Sequence, residues 1–171
     1  FSRKEPLEDV LFNSIIRIKT AIESTESVQA FIEQYLPKVK IDYRKRSNNY
    51  AYAFLSFKKG DFTKTLDHLN KIDFSTLNEK NYLYKLKIAV FYELNYIEEL
   101  YYLIDSYNHF IANNTRFSKS SEHYGFSDIV KVFLANKSKN NKLLSNERKK
   151  ITDSVKTSDF GWWLTRKLEE F

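Results

Sequence analysis

The sequence predicts an all-α protein in which eight or nine antiparallel helices stack into a solenoid. A phrase of one helix, a tight turn and a second helix occurs twice, with the turn residues Gly60 and Asn95 separated by 35 positions. Helix breakers are scarce, because the 171 residues include only three Gly and two Pro. Apolar residues recur at helical spacing along most of the chain. A helix pair repeated at this period cannot bury its apolar face alone, so it stacks on its neighbours.

Four helices are predicted in the first half of the chain. Residues 6–23 form the first helix, and its predicted core side consists of aliphatic residues at helical spacing: Leu7, Val10, Leu11, Ile15, Ile18 and Ile22. A turn and cap at 24–27 lead to a short helix that Pro37 ends. The third helix covers about 38–59, with a core side of Ile41, Tyr50, Ala53, Phe54 and Phe57. Gly60 is its predicted left-handed C-cap, and Asp61 caps a fourth helix that runs to Ile72.

The second half of the chain continues in the same way. Asn78 is the predicted cap of a helix to Leu94, and the next helix covers 96–113 with the stripe Ile97, Leu100, Tyr101, Ile104, Asn108 and Ile111. A loop and cap at 118–121 precede a helix to about 137, and a further helix carries Leu144, Ile151 and Val155. Ser158 or Asp159 caps the last helix, whose apolar stripe is Phe160, Trp163, Leu164, Leu168 and Phe171. No change in composition marks a second domain, so residues 1–171 are predicted to form one.

Composition excludes several classes of site. The chain has no Cys, which removes disulfides and thiolate chemistry, and it has no stretch of 18 apolar residues that would span a membrane. The absence of Met indicates that the native N-terminus lies upstream, and we expect a cytoplasmic protein. His68, His109 and His123 lack metal-ligand spacing, and no Gly-rich phosphate loop is present. We therefore expect neither a cofactor nor an enzymatic activity.

Residues 49–72 resemble the tetratricopeptide repeat (TPR). Ala53 takes the place of the family's small residue in the first helix, Gly60 that of its turn Gly, and Thr65 that of the small residue in the second helix. A shift of 35 residues in one direction gives Asn95 at the turn and Leu100 at the small position, and the opposite shift gives Thr25 and Ala30. The resemblance implies a right-handed TPR-like solenoid with a repeat core at about 24–113. Residues 1–23 would then be an N-terminal helix, and 114–171 a degenerate repeat with capping helices.

A second, looser resemblance is to bacterial proteins of unassigned function that contain this repeat core. It rests on the stretch 31–37 (FIEQYLP) and on the closing 162–170 (WWLTRKLEE). It implies no activity.

In TPR proteins the first helix of each pair lines a concave groove. The resemblance therefore implies a groove for an extended or helical peptide, lined by Tyr50, Phe54, Phe57, Lys58, Tyr82, Lys85, Tyr92 and Glu93. Tyr50 and Phe54 stand where TPR proteins that hold a chaperone's C-terminal carboxylate carry Lys and Asn, which disfavours that partner class. The opposing interpretation is that several of these rings are buried between helix layers. The predicted function is a protein- or peptide-binding scaffold, as an adaptor or as the sensor part of a longer chain. Alternatively, it is a structural segment of a multidomain protein whose groove is filled by N- or C-terminal parts that are missing from this sequence.

The densest basic run suggests a different function. Lys38, Lys40, Arg44, Lys45 and Arg46 lie on one predicted helix in a chain of formal charge +6. A basic helix of this kind can follow a phosphate backbone, so an association with nucleic acid is the alternative prediction. The commoner meaning of such a run is a solvated helix face. A salt titration of nucleic-acid binding separates these interpretations.

Overall fold

The computed structural model describes residues 6–74, 76–114, 117, 124–139 (backbone only at 138 and 139) and 142–171. These residues form nine α-helices and one short 3-10 helix, so the prediction of an all-α protein is confirmed for the described part of the chain. The elements are α1 (Asp9–Ile22), α2 (Thr25–Tyr35), the 3-10 helix η1 (Leu36–Lys38), α3 (Ile41–Lys58), α4 (Phe62–Leu69), α5 (Leu77–Glu93), α6 (Ile97–Ala112), α7 (Phe126–Lys139), α8 (Ser145–Val155) and α9 (Gly161–Leu168).

Most helix ends lie within three residues of the prediction, and the differences have local causes. The first helix begins at Asp9 rather than at Pro6, because residues 7 and 39 instead form an isolated parallel bridge. The N-cap of α5 is Thr76 and not Asn78: its hydroxyl accepts the Glu79 N–H at 3.1 Å. Phe160, rather than Ser158 or Asp159, precedes α9. The predicted loop and cap at 118–121 lie outside the described residues.

In both repeated phrases, the first helix is followed by a residue in the left-handed backbone conformation. The φ angle is +79° at Gly60 and +59° at Asn95, and no other described residue has a positive φ. Asp61 follows Gly60 directly, and its carboxylate accepts the Lys64 N–H at 3.2 Å as the predicted N-cap of α4. The turn chemistry predicted at these positions is therefore confirmed.

Replacing Gly60 with Ala is expected to lower the free energy of unfolding by about 1–2 kcal/mol, because an L side chain disfavours this φ. A Cβ at position 60 would meet no atom within 4 Å, so the whole effect comes from the backbone. Urea unfolding measures it. Thr63→Ala, on the exposed side of α4, is the control and should change stability by about 0.5 kcal/mol or less. Equal stabilities of the two variants would contradict the assignment.

The chain divides into two compact units, Phe1–Leu94 and Asn95–Phe171. In the first unit α2 packs on α1 and α3, α1 packs on α3, and α4 packs against both α3 and α5. Phe12, Ile16, Val28, Ile32 and Phe57 are among its fully buried side chains. The two helices of the second repeated phrase, α5 and α6, fall in different units. A single domain over 1–171 stays a prediction.

Large rings dominate the core of the second unit. Trp163 is fully buried, its ring centroid lies 6.0 Å from that of Phe126, and Phe160 contacts Phe126 at 5.6 Å. Leu164 and Leu168 are also buried, whereas Phe171 is half-buried and stacks on Phe133. The apolar stripe predicted for the last helix is therefore confirmed, except that its final ring is only partly covered.

Outside the first helix, Ile41, Tyr101 and Ala30 are packed differently from the prediction. Ile41 and Tyr101, which were predicted to face the core, are exposed. Ala30, the small residue predicted for the earliest repeat, is exposed as well, whereas its counterparts Thr65 and Leu100 are buried. The pair α1 and α2 is joined by extended backbone at Glu23 and Ser24 rather than by a left-handed turn. This first pair consequently packs differently from α3 and α4.

Candidate functional site

The first helix turns the opposite face inward from the one the sequence predicts. Leu11, Ile18 and Ile22 are 52%, 59% and 74% exposed, Val10 is exposed and Ile15 is half-buried. The buried side chains of α1 are instead Asp9, Phe12, Asn13, Ile16 and Thr20. The prediction that Val10, Leu11, Ile18 and Ile22 form the core side of this helix is wrong. We call Leu11, Ile15, Ile18 and Ile22 the α1 apolar face.

A network of buried charged and polar groups explains this orientation. The Arg46 guanidinium, on α3, donates to Glu79 Oε2 of α5 at 2.6 Å and also pairs with the Asp9 carboxylate of α1. Asn13 Nδ2 donates to the second Glu79 oxygen at 2.8 Å. Both carboxylates are buried, and a buried charge is tolerated only when it is paired and hydrogen-bonded. Asp9 pairs with Arg46 of α3, and Asn13 bonds to Glu79 of α5. These two contacts require the side of α1 that carries Asp9 and Asn13 to face α3 and α5.

Arg17 extends these contacts one turn further along α1. Its guanidinium lies 3.6 Å from the centroid of the Tyr82 ring on α5 and donates to the Tyr50 hydroxyl on α3 at 3.3 Å. Burial raises the pKa of that hydroxyl, so Tyr50 stays neutral at physiological pH. A cation over an aromatic face is stabilising, more so when water is excluded. Together with Asp9, Asn13 and the buried Thr20, Arg17 forms a polar stripe that faces the helices of its own unit.

The order of the contacts gives the directions of α1, α3 and α5. Along α3, Arg46 meets Asp9, Tyr50 meets Arg17, and Lys58 Nζ donates to the Thr20 carbonyl at 2.5 Å. Residues later in α1 contact residues later in α3, so the two helices run in the same direction. Glu79 and Tyr82 follow the same order on α5. First helices of successive pairs have this relation in a helical-repeat solenoid.

The predicted groove residues lie mainly in the interior. Tyr50 and Phe57 are fully buried, and Phe54, Lys85 and Tyr92 are at most 8% exposed. Lys58, Tyr82 and Glu93 are half-buried. The rings of Tyr50 and Phe54 contact each other at 4.9 Å, and direct contacts of α1 with α5 close the space at Asn13 and Arg17. The interpretation that these rings are buried between helix layers therefore describes most of the set.

The five residues of the predicted basic run have different environments in the structure. Arg46 belongs to the buried network, Lys40 pairs with Glu8 at 2.5 Å, and Arg44 donates to the carbonyls of Pro37 and Val39. Lys38 and Lys45 are exposed, and the ammonium of Lys38 lies 4.2 Å from the Tyr35 ring centroid. Three of the five cations, Lys40, Arg44 and Arg46, are therefore held by ion pairs or hydrogen bonds within the chain. A nucleic-acid face would depend chiefly on the other two.

One open concavity of about 630 Å³ lies beside this run. Its lining includes Pro6, Pro37, Lys38, Ile41 and Arg44.

Among the described residues no group of three His, Asp or Glu side chains is placed to hold a metal ion. None of the helices in the described part of the chain is long and apolar enough to cross a membrane.

His68 is a partly buried histidine on α4. Its Nδ1 lies 3.1 Å from Asn49 Oδ1, its ring stacks on Tyr52, and burial together with the nearby Lys71 lowers its pKa. Protonation is then favoured in the unfolded chain, so stability falls as the pH drops from about 6.5 toward the lower folded pKa.

We expect His68→Gln to weaken this pH dependence. Urea unfolding of both proteins at several values between pH 5 and pH 7.5 measures the difference, and Gln can retain the contact with Asn49. His109→Gln, at an exposed histidine of α6, is the control and should leave the dependence in place. The same pH profile for the wild type and for His68→Gln would show that this imidazole does not titrate with folding.

Comparison with known proteins adds no assignment. No protein-family model and no curated protein matches the sequence, and no solved structure matches the fold. What the described residues establish is an all-α protein whose first helix buries a polar stripe and exposes an aliphatic one.

The sequence predicts the wrong buried side for α1: the aliphatic stripe is largely exposed and the polar stripe is buried. Asp9, Asn13, Arg17 and Thr20 follow helical spacing as closely as the aliphatic residues do, so α1 carries two continuous stripes. The usual preference for buried apolar residues selects the wrong one, because the partners of the polar stripe are distant in sequence. Arg46 is 37 residues from Asp9, and Glu79 is 66 residues from Asn13. The signal available in the sequence was the polar stripe itself.

Proposed function

We propose that this chain is a TPR-like helical scaffold that binds another protein and catalyses no reaction. The α1 apolar face is the observation that carries the proposal. Single exposed aliphatic residues are ordinary, but a continuous stripe of them on one helix face is typical of an interaction surface. Complete burial of a Leu or Ile side chain stabilises an assembly by about 1.5–3 kcal/mol, so a partner on this face would gain substantially.

Repeat geometry supports the TPR-like, right-handed solenoid as the scaffold. The left-handed turns at Gly60 and Asn95 keep the 35-residue spacing, and Ala53, Thr65 and Leu100 are buried where the family packs its helices. The proposed binding surface differs from the concave groove that this resemblance implies, because most of the groove rings are buried. Within a longer protein, such a scaffold would act as an adaptor or as a sensor module.

Photo-crosslinking in living cells tests the proposal. A photoreactive amino acid at position 18 or 22, in the cells that normally contain the protein, should yield covalent adducts with protein on irradiation. The same amino acid at position 64, an exposed site on α4, is the control and should yield none. Equal labelling at positions 18, 22 and 64, or no adduct at any of them, would overturn the proposal.

A further inference from the structure

We propose that the partner of the α1 apolar face is the same face of a second copy of this chain, with the two α1 helices antiparallel about a twofold axis. This inference rests on the proposed function and names the partner.

The stripe has the form of a helix–helix seam. With 3.6 residues per turn, Leu11, Ile15, Ile18 and Ile22 fall within a sector of about 60° on α1. Their successive spacings are four, three and four residues, the alternation by which one helix packs along another. Ser14 and Ala21 lie along one edge of the sector, and these small side chains permit a close approach of a second helix on that side. The face therefore suits a helix better than an irregular loop.

The spacing is also palindromic. A twofold axis midway between Arg17 and Ile16 places Leu11 opposite Ile22 of the second copy and Ile15 opposite its Ile18. Every member of the stripe then meets another member, and none meets a polar residue. Self-complementarity of this kind is the requirement for a twofold dimer interface, in which one surface patch is used by both subunits.

Charge does not oppose contact between two copies on this face. The sector contains no Asp, Glu, Lys or Arg, although the chain carries a formal charge of +6. The charges at its rim are paired within their own chain: Lys19 with Glu23 at 2.5 Å, and Lys40 with Glu8 at 2.5 Å. Arg17 is directed toward Tyr50 and Tyr82. Among the described residues, these ion pairs balance the charge at the rim, which favours neither an acidic nor a basic partner, whereas a second copy needs no charged rim.

Light scattering coupled to size-exclusion chromatography tests the dimer with the purified chain. The mass is expected to rise from 20.4 kDa toward twice that value as the concentration increases. Ile18→Lys should hold it at 20.4 kDa at every concentration. At a concentration where the wild type is monomeric, the variant's unfolding midpoint should equal the wild-type value, because the side chain is exposed. Leu144→Lys, at a Leu that is 64% exposed ahead of α8, is the matched control and should dimerise like the wild type. A wild-type mass that stays at 20.4 kDa, or an Ile18→Lys chain that dimerises, would overturn the inference.

Disulfide trapping tests the orientation, and the absence of native Cys makes it specific. An equimolar mixture of Leu11→Cys and Ile22→Cys chains should form the mixed disulfide on mild oxidation. In the antiparallel pair two copies of position 11 would be about 16 Å apart, too far for a bond. Predominant homodisulfides would mean a parallel pair and would overturn the antiparallel arrangement.

The outcomes separate this inference from the proposed function. If the purified chain stays monomeric while position 18 or 22 crosslinks to a different protein in cells, the second copy is excluded and the scaffold proposal stands. If the chain dimerises and the adduct in cells has twice the chain's mass, both stand. If the chain is monomeric and no adduct forms in cells, both fall.

Discussion

Replacing Arg46 with Met is expected to lower the free energy of unfolding by about 3–5 kcal/mol. The guanidinium pairs with Asp9 and Glu79, whose carboxylates are buried, and Met leaves both charges without their cation. The cost is a large share of the roughly 5–15 kcal/mol that stabilises a domain. Urea unfolding at neutral pH measures it.

Two further variants identify the cause of that loss. Lys45→Met changes the adjacent, exposed cation and should alter stability by about 0.5 kcal/mol or less. Adding Asp9→Asn and Glu79→Gln to Arg46→Met removes the uncompensated charges and should recover part of the stability. If Arg46→Met costs no more than Lys45→Met, the network does not fix the orientation of α1.

Replacing Phe57 with Ala is expected to cost about 3–5 kcal/mol of stability, because it leaves a cavity in the core. The ring is fully buried and lies 5.6 Å from that of Phe62. As a groove residue, Phe57 would instead affect partner binding with little effect on folding. Urea unfolding therefore separates the two roles of this ring.

Phe74→Ala makes the same chemical change at an exposed ring and is the control for Phe57→Ala. It should cost far less, since the Phe74 side chain is already largely in water. A Phe57→Ala protein with wild-type stability and a lost partner would contradict the buried position and restore the groove.

Local signals were sufficient to predict the helices and their turns. Gly60, Asp61 and Asn95 act through their own backbone and nearest neighbours, so their roles follow from residue type and spacing. The buried stripe at Trp163 and Leu164 likewise follows from helical periodicity, because no competing stripe runs along that helix.

The site could not be predicted in the same way, because it depends on contacts between distant residues. The ion pairs of Arg46 join three helices, and a basic run in the sequence does not distinguish a buried Arg46 from an exposed Lys45. The rings of Tyr50 and Phe54 fit a groove wall by phase, but the packing of α1 on α3 covers that side of the helix. Resemblance to a repeat family predicts which helices line a groove, and it cannot predict that α1 contacts both α3 and α5 beside these rings.

The orientation of α1 is the central claim, and the rate of cysteine alkylation tests it most directly. The chain has no native Cys, so Ile16→Cys and Ile18→Cys each introduce one reporter on opposite faces of the same helix. At low protein concentration we predict that the thiol at position 18 reacts rapidly and the one at position 16 about 100-fold more slowly, since the latter requires opening of the core. At high concentration the thiol at position 18 should become protected as the copies associate. Rapid reaction at position 16, with protection at position 18 at every concentration, would show that α1 buries its aliphatic stripe within its own chain and would contradict the account.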